Sequence, residues 1–308
     1  MTWLKKIAKW EIGKTLYLSV PFTWLLPEAR DLAKKHKGPV QAGGPAVQLM
    51  PEYLADLATV NQPCPVEPLL FHNPLATFTS RGCPNHCGFC AVPRLEGAFK
   101  ELDDWRLAPI ICDNNLLAST KKHFNRVIDR LKTIPDLTTK VQPVDFNQGL
   151  EARLLKPHHA RRLAELKRIK VRFAFDHVNA ETAVYEAIQL CRAHGLPLKS
   201  FSVYVLIGFK DSPEDALYRL DKIKSWGVYT CPMRYQPLDS VDKNSYVAEG
   251  WTDRLLKDVV RFYYKNSEFG NMPFSEYNSR PMPLFDEATT NGALKWREDE
   301  TRNRSQTP

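Results

Sequence analysis

Residues 171–235 read VRFAFDHVNAETAVYEAIQLCRAHGLPLKSFSVYVLIGFKDSPEDALYRLDKIKSWGVYTCPMRY. Three short runs rich in β-branched and aromatic residues, Val171–Phe175, Ser202–Ile207 and Val228–Tyr235, enclose two stretches with helical apolar spacing, Ala180–Gly195 and Pro213–Trp226. The second helix carries its own boundary marks. Ser212 stands at the N-cap, Pro213 at the first helical position and Glu214 beside the positive end of the dipole. Gly195 and Gly227 stand where each helix needs a left-handed residue to stop. Strands separated by single helices pair in parallel through right-handed crossovers.

The alternation extends upstream. Ala76–Ser80, Pro109–Cys112 and Val141–Phe146 read as strands, and Lys121–Thr133 and Pro157–Arg168 as helices. Together these elements predict an α/β fold, a partial (β/α)6 TIM-like barrel. In such folds reactive groups sit at the C-terminal ends of the strands. Before the barrel, a strand over Thr15–Val20, a helix over Pro27–His36 and a strand over Pro39–Gln41, followed by Gly43-Gly44-Pro45, read as a small α/β half of a doubly wound unit. Asn61–Pro74, with its prolines, reads as an extended linker. After the barrel, Trp251–Tyr264 reads as a helix, and Trp296–Pro308 is polar without apolar period, the pattern of a disordered tail. The expected division is a small α/β region and linker over 1–73, a barrel core over 74–240, a helical extension over 241–295 and a tail over 296–308.

Apolar residues make up 43% of the 308, enough for a sizeable core. No apolar run reaches the ~20 residues that cross a bilayer. The basic start, MTWLKKIAKWEIGK, is followed by no apolar signal core, so the reading is a cytoplasmic protein without a membrane partner. The formal charge of +8 points to a nucleic acid or other polyanion as partner, or to solvated basic helix faces at Lys5–Lys14, Lys34–Lys37 and Arg161–Arg172. The seven cysteines are odd in number and three crowd into Cys83–Cys90, which excludes a secreted disulfide framework.

That crowded segment is Arg81-Gly82-Cys83-Pro84-Asn85-His86-Cys87-Gly88-Phe89-Cys90, directly after the first barrel strand. Three thiolates on one loop can converge on one face of a metal centre, and soft sulfur donors select zinc, copper(I) or iron–sulfur clusters. A structural zinc takes four protein ligands, and so does an ordinary [4Fe–4S] cluster. Here Cys64, Cys112, Cys191 and Cys231 all stand apart in sequence. A cube held by three thiolates keeps one iron open for a cofactor or substrate. A zinc knuckle with His86 as fourth ligand is the competing reading.

Cys83-x3-Cys87-x-Phe89-Cys90, placed after the first strand of a β/α series, resembles the signature of the radical S-adenosylmethionine (SAM) superfamily. The resemblance runs over about Leu70–Tyr235 and includes the aromatic Phe89. It implies a [4Fe–4S] cluster on Cys83, Cys87 and Cys90, with SAM chelating the open iron through its amino and carboxylate groups. It further implies one-electron cleavage of SAM to methionine and a 5′-deoxyadenosyl radical that abstracts a substrate hydrogen. An external flavodoxin- or ferredoxin-like protein is the implied electron donor. Asp113-Asn114-Asn115 stands where relatives carry a Gly-Gly-Glu-like segment that receives the SAM ammonium.

The third strand runs into Asn147, Gln148, Glu151 and Arg153, a polar stretch suited to a cavity. Gln148 is expected to face the cofactor or substrate, and Arg153 to pair with the SAM carboxylate. Asp176 ends the fourth strand, where relatives hold the ribose; His177 beside it reads as a surface residue or an acid–base group. Gly208 matches the second glycine of a Gly-x-Ile-x-Gly-x-x-Glu pattern that flanks adenine, while Tyr204, Leu206 and Asp211 depart from it. The N-terminal region resembles the cobalamin-binding half found before many such domains, but lacks the Asp-x-His-x-x-Gly segment that ligates cobalt. Asp113-Asn114-Asn115, Val144–Leu150, Gly208 and Pro237 also resemble a group of bacterial and phage radical SAM proteins without assigned substrate. Two functions follow: a radical SAM enzyme acting on a nucleic acid or nucleotide, or else on a small molecule or peptide; and a non-catalytic metal-binding module for nucleic acid.

Overall fold

The computed structural model describes residues 6–134, 143–265 and 272–279. The polar stretch 296–308 and the greater part of 266–295 therefore lie outside the described residues.

The first sheet has four strands in the order β1 (Ala8–Ile12), β2 (Thr15–Ser19), β3 (Val40–Gly43) and β4 (Thr59–Val60). Strand β1 is antiparallel to β2, while β2, β3 and β4 run parallel. Strand period 2 sends Leu16, Leu18, Val40 and Ala42 to one face, where they form a core with Leu26, Ala29 and Ala33 of α1 (Leu26–Lys35) and with Ala46 and Val47 of α2 (Pro45–Leu49). The opposite face carries Trp10 stacked on Tyr17 and on Phe71, with ring centroids 5.7 and 4.2 Å apart. His72 Nε2 meets Ser19 Oγ at 2.9 Å, and Gln41 donates to the carbonyls of Gln62 and Pro63. The segment expected as a bare linker thus covers this second face, and it includes a short helix, α3 (Leu69–His72).

The second sheet has six parallel strands. They are β5 (Ala76–Thr77), β8 (Ile110–Ile111), β9 (Val144–Phe146), β10 (Ile169–Ala174), β11 (Phe201–Ile207) and β12 (Tyr229–Arg234), neighbours in space in that order. The first connection carries α4 (Val92–Leu95) and an antiparallel ribbon of β6 (Ser80–Arg81) and β7 (Lys100–Glu101). The others carry α5 (Lys121–Lys132), α6 (Pro157–Leu163), α7 (Glu181–Ala193) and α8 (Pro213–Ser225); α9 (Asp253–Tyr264) and α10 (Phe274–Asn278) follow β12. Val171 and Phe173 of β10 and Phe201, Val203, Val205 and Ile207 of β11 point to the helices and fill one large core with Phe124, Ile188, Leu220 and Phe262. The other face carries a small apolar cluster of Ala76, Ile110 and Cys112 and, beside it, polar side chains. Register places Asp145 beside Lys170, and two residues on in the strand a buried Arg172 pairs with the Asp145 carboxylate.

The strand Ala76–Ser80 expected from sequence is broken in two. The Thr79 backbone N–H donates to Asp113 Oδ1 instead of a ladder partner, so β5 ends and β6 pairs elsewhere. Helix α6 stops at Leu163, short of the expected Arg168, because Glu165 and Leu166 close tight turns onto Arg162 and Leu163. Ser212 accepts from Asp215 N, and Gly195 and Gly227 take φ of +99° and +71°, as the helix ends required.

Candidate functional site

The cysteine loop leaves the C-terminal end of β5 and returns through α4 and β7 to β8. Its first anchor is Asp113, just past β8 and 3% exposed. The carboxylate accepts from the Thr79 backbone N–H at 2.6 Å, from the Thr79 hydroxyl and from the Ser80 hydroxyl at 2.7 Å. Burial pushes this carboxyl above its ordinary range, and the bonds from Thr79 and Ser80 act the other way. The second anchor is Glu96 at the end of α4. Its Oε2 accepts from Gly82 N at 2.7 Å and from Asn114 Nδ2 at 2.8 Å, while Oε1 pairs with Arg81 at 2.9 Å. The third is Glu151, which accepts from Asn85 Nδ2 at 2.9 Å and holds Arg153 through bonds of 2.9 and 2.7 Å.

Between these anchors lie the thiols. Cys83 Sγ receives the Asn85 backbone N–H at 3.4 Å and Asn115 Nδ2 at 3.5 Å. Asn115 is 1% exposed, and its other amide atom, Oδ1, is buried with no donor. Cys90 N donates to Cys87 O at 2.9 Å, closing a tight turn between the second and third cysteines. Cys87 is exposed, and Cys83 and Cys90 are partly so. Burial, then the nearby Cys90 and Cys83 sulfurs, hold the Cys87 thiol above its ordinary value, while Arg153 lowers it. The three sulfurs therefore sense one another. Yet among the described residues no three His, Cys, Asp or Glu side chains gather closely enough to hold a single metal ion.

The facing wall comes from the ends of β10, β11 and β12. Phe89 meets Phe209 edge-on at 5.6 Å, Phe209 meets Tyr235 at 4.7 Å, and Tyr235 meets Tyr246 at 5.2 Å. Asp176 Oδ1 accepts from Leu206 N at 2.9 Å, and burial raises its carboxyl above the usual range. Arg219, 1% exposed, donates to the carbonyls of Phe175 and Leu206 at 2.9 and 3.0 Å and pairs with Asp211. Asp211 in turn accepts from Gly208 N and Phe209 N.

The sequence-predicted residues divide into groups. Asn115 reaches Cys83, and the Cys83, Cys87 and Cys90 thiols lie near enough to act on one another electrostatically. Asp113 and Asn114 turn to the loop's own backbone and to Glu96, so they position the cysteines. Arg153 reaches the thiols electrostatically, although its side chain is 62% exposed. Gln148 is exposed. His177 is exposed and its Nδ1 accepts from Asn179 N, a turn cap. Gly208 takes φ +71°, and a Cβ there would come within 2.8 Å of Leu256 Cδ2; the missing side chain makes room for α9. Glu96 was not found from sequence, because only loop closure brings it to Gly82.

No family model matches the sequence, and no curated protein is similar to it. Among solved structures the chain is similar to a radical S-adenosylmethionine methyltransferase, TsrM from Kitasatospora setae, a structure with cobalamin and a [4Fe–4S] cluster bound. The TM-score is 0.53 at 12% identity, over 73% of this chain and 62% of that one, so this chain matches somewhat under two thirds of that enzyme's length. Among the described residues no helix is long and apolar enough to cross a membrane. With its six-stranded parallel sheet, the chain shares an α/β fold with that enzyme.

Proposed function

We propose that this chain is a radical SAM enzyme in which Cys83, Cys87 and Cys90 hold a [4Fe–4S] cluster and SAM binds its open iron. The observation that carries the reading is the Asn115 amide, with Nδ2 on the Cys83 sulfur and Oδ1 buried without a donor. An unsatisfied buried carbonyl costs about 1–3 kcal/mol, a cost that a donor brought by a ligand would remove. The amino group of a SAM molecule bound beside Cys83 is such a donor.

The chain's own groups then take these parts. Asn115 Oδ1 accepts from the cofactor ammonium. Arg153, steered by Glu151, faces the cofactor carboxylate. Asp176 supplies a ribose acceptor, and Phe89 and Phe209 form an apolar wall that excludes water. A bound cluster would supply the electron that cleaves SAM to methionine and a 5′-deoxyadenosyl radical for hydrogen abstraction. The reductant is a flavodoxin- or ferredoxin-like protein, and a polyanionic substrate accords with the +8 charge. Cobalamin stays outside the proposal, since the cobalt-ligating segment is missing from the sequence.

Protein reconstituted anaerobically with iron and sulfide, then given dithionite and SAM, is expected to release 5′-deoxyadenosine, read by mass spectrometry. A fully loaded protein that releases none overturns the assignment. RNA or DNA affinity that falls steeply with salt supports the polyanion, because phosphate contacts release counterions; affinity flat with salt removes it.

A further inference from the structure

We infer that Asn115 sets the reduction potential of the cluster through its bond to the Cys83 sulfur, an inference that rests on the cluster assignment above. Reduction adds one electron and one negative charge to a cluster and breaks no bond. An N–H donor aimed at a ligand sulfur stabilises the more negative state and so raises the potential. Cys83 receives two such donors, from Asn85 N and Asn115 Nδ2. Cys90 receives one, from the Val92 backbone, which holds its thiol down against the upward push of burial. Of these donors Asn115 Nδ2 alone belongs to a side chain.

The geometry of Asn115 suits the task. The residue precedes a 3-10 turn over Leu116–Ala118 and its carbonyl accepts from Ala118 N at 3.1 Å. Leu116 and Leu117 beneath it are buried, so the amide has little freedom to swing away. The reverse amide orientation would set a carbonyl oxygen against a thiolate, two acceptors face to face. The amide also has two working ends. A cofactor ammonium on Oδ1 polarises the group and makes Nδ2–H a stronger donor to sulfur. Cofactor binding therefore raises the potential through Asn115, easing electron entry once SAM, the molecule that the electron would cleave, is in place.

The test is a potentiometric titration with dithionite, followed by electron paramagnetic resonance, on the full chain after anaerobic reconstitution, with and without SAM. Iron and sulfide are counted first. Asn115→Leu and the smaller Asn115→Ala remove the donor and leave the cysteines untouched. Each loaded variant is expected to have a lower midpoint than the parent, and the upward shift on adding SAM is expected to shrink or vanish. Parent-like midpoints in either fully loaded variant refute the role of Asn115 while leaving the cluster intact. A parent protein that takes up no four-iron cluster refutes the underlying assignment instead. Loss of midpoint control in one variant suffices if the other fails to load.

Discussion

Replacing Asp113 by alanine tests how the cysteine loop is held. The Thr79 backbone N–H lies in a residue with 0% exposure, and Asp113 Oδ1 is its acceptor. Orphaning it costs about 1–3 kcal/mol. The Thr79 and Ser80 hydroxyls lose charge-assisted bonds worth about 1.5–3 kcal/mol each, though a hydroxyl can turn to another acceptor. Against this, alanine removes the penalty of burying a carboxylate, the same penalty that raises the Asp113 pKa. Removing one partner from a buried charged network leaves a net loss of about 3 kcal/mol. For a chain of this size that lowers the unfolding midpoint by about 5 °C. Asp113→Asn retains one carbonyl acceptor but turns an amide N–H toward a donor, so it should fall between. Circular dichroism melts of the anaerobic protein, paired with iron counts after reconstitution, read both consequences. An alanine variant melting within about 2 °C of the parent, with full iron, would show that Asp113 does not hold the loop.

Gly208→Ala should lose about 1–2 kcal/mol for the left-handed backbone and about 1–3 kcal/mol for the approach to Leu256, and Leu256→Ala should restore the second part; urea midpoints unchanged by Gly208→Ala would refute this. Arg172→Met strands the buried Asp145 carboxylate and should cost about 3–5 kcal/mol, while Arg172→Met with Asp145→Leu should cost far less; strictly additive losses in the double-mutant cycle would sink the pairing. His159 has its pKa lowered to about 4, first by burial and then by His158, and its Nδ1 accepts from Lys156 N. Because the folded value lies below the ordinary 6.5, the unfolded chain gains the proton first. This stability is complete above pH 6.5 and drains away as pH falls toward 4, about 2 kcal/mol being lost by pH 5. Urea unfolding at pH 7.5 and 5 should show the gap between parent and His159→Asn narrowing by that amount, and a constant gap would contradict it.

Strands β10, β11 and β12 and helices α5, α7, α8 and α9 were legible because each buries one face against a single large core, and that burial writes a period into the sequence. Local caps such as Ser212 fixed their ends. Strand β2 was legible as Thr15–Val20, but its hairpin partner β1 left no comparable mark. Its Trp10 face is covered by Phe71, some sixty positions away, and no local period reports such a cover. The split between β5 and β6 depends on Asp113, a residue 34 positions beyond Thr79. Spacing alone exposed the three cysteines. The side chains that hold their loop stayed hidden, since Gly82 and Glu96 lie 14 positions apart and Asn85 and Glu151 lie 66 apart. Gly208 was legible as a special position, but its neighbour is Leu256 of α9, a contact that only the tertiary packing creates.

The Arg219 guanidinium binds the ends of β10 and β11 and the turn before α8 into one block. Across from it, Pro84, His86, Cys87 and Gly88 stand out in solvent. The two walls thus differ in how much disorder they have left to give up. When a ligand assembles between them, the entropic toll of closing falls on the cysteine side, while the Arg219 side behaves as a rigid template that arrives already shaped.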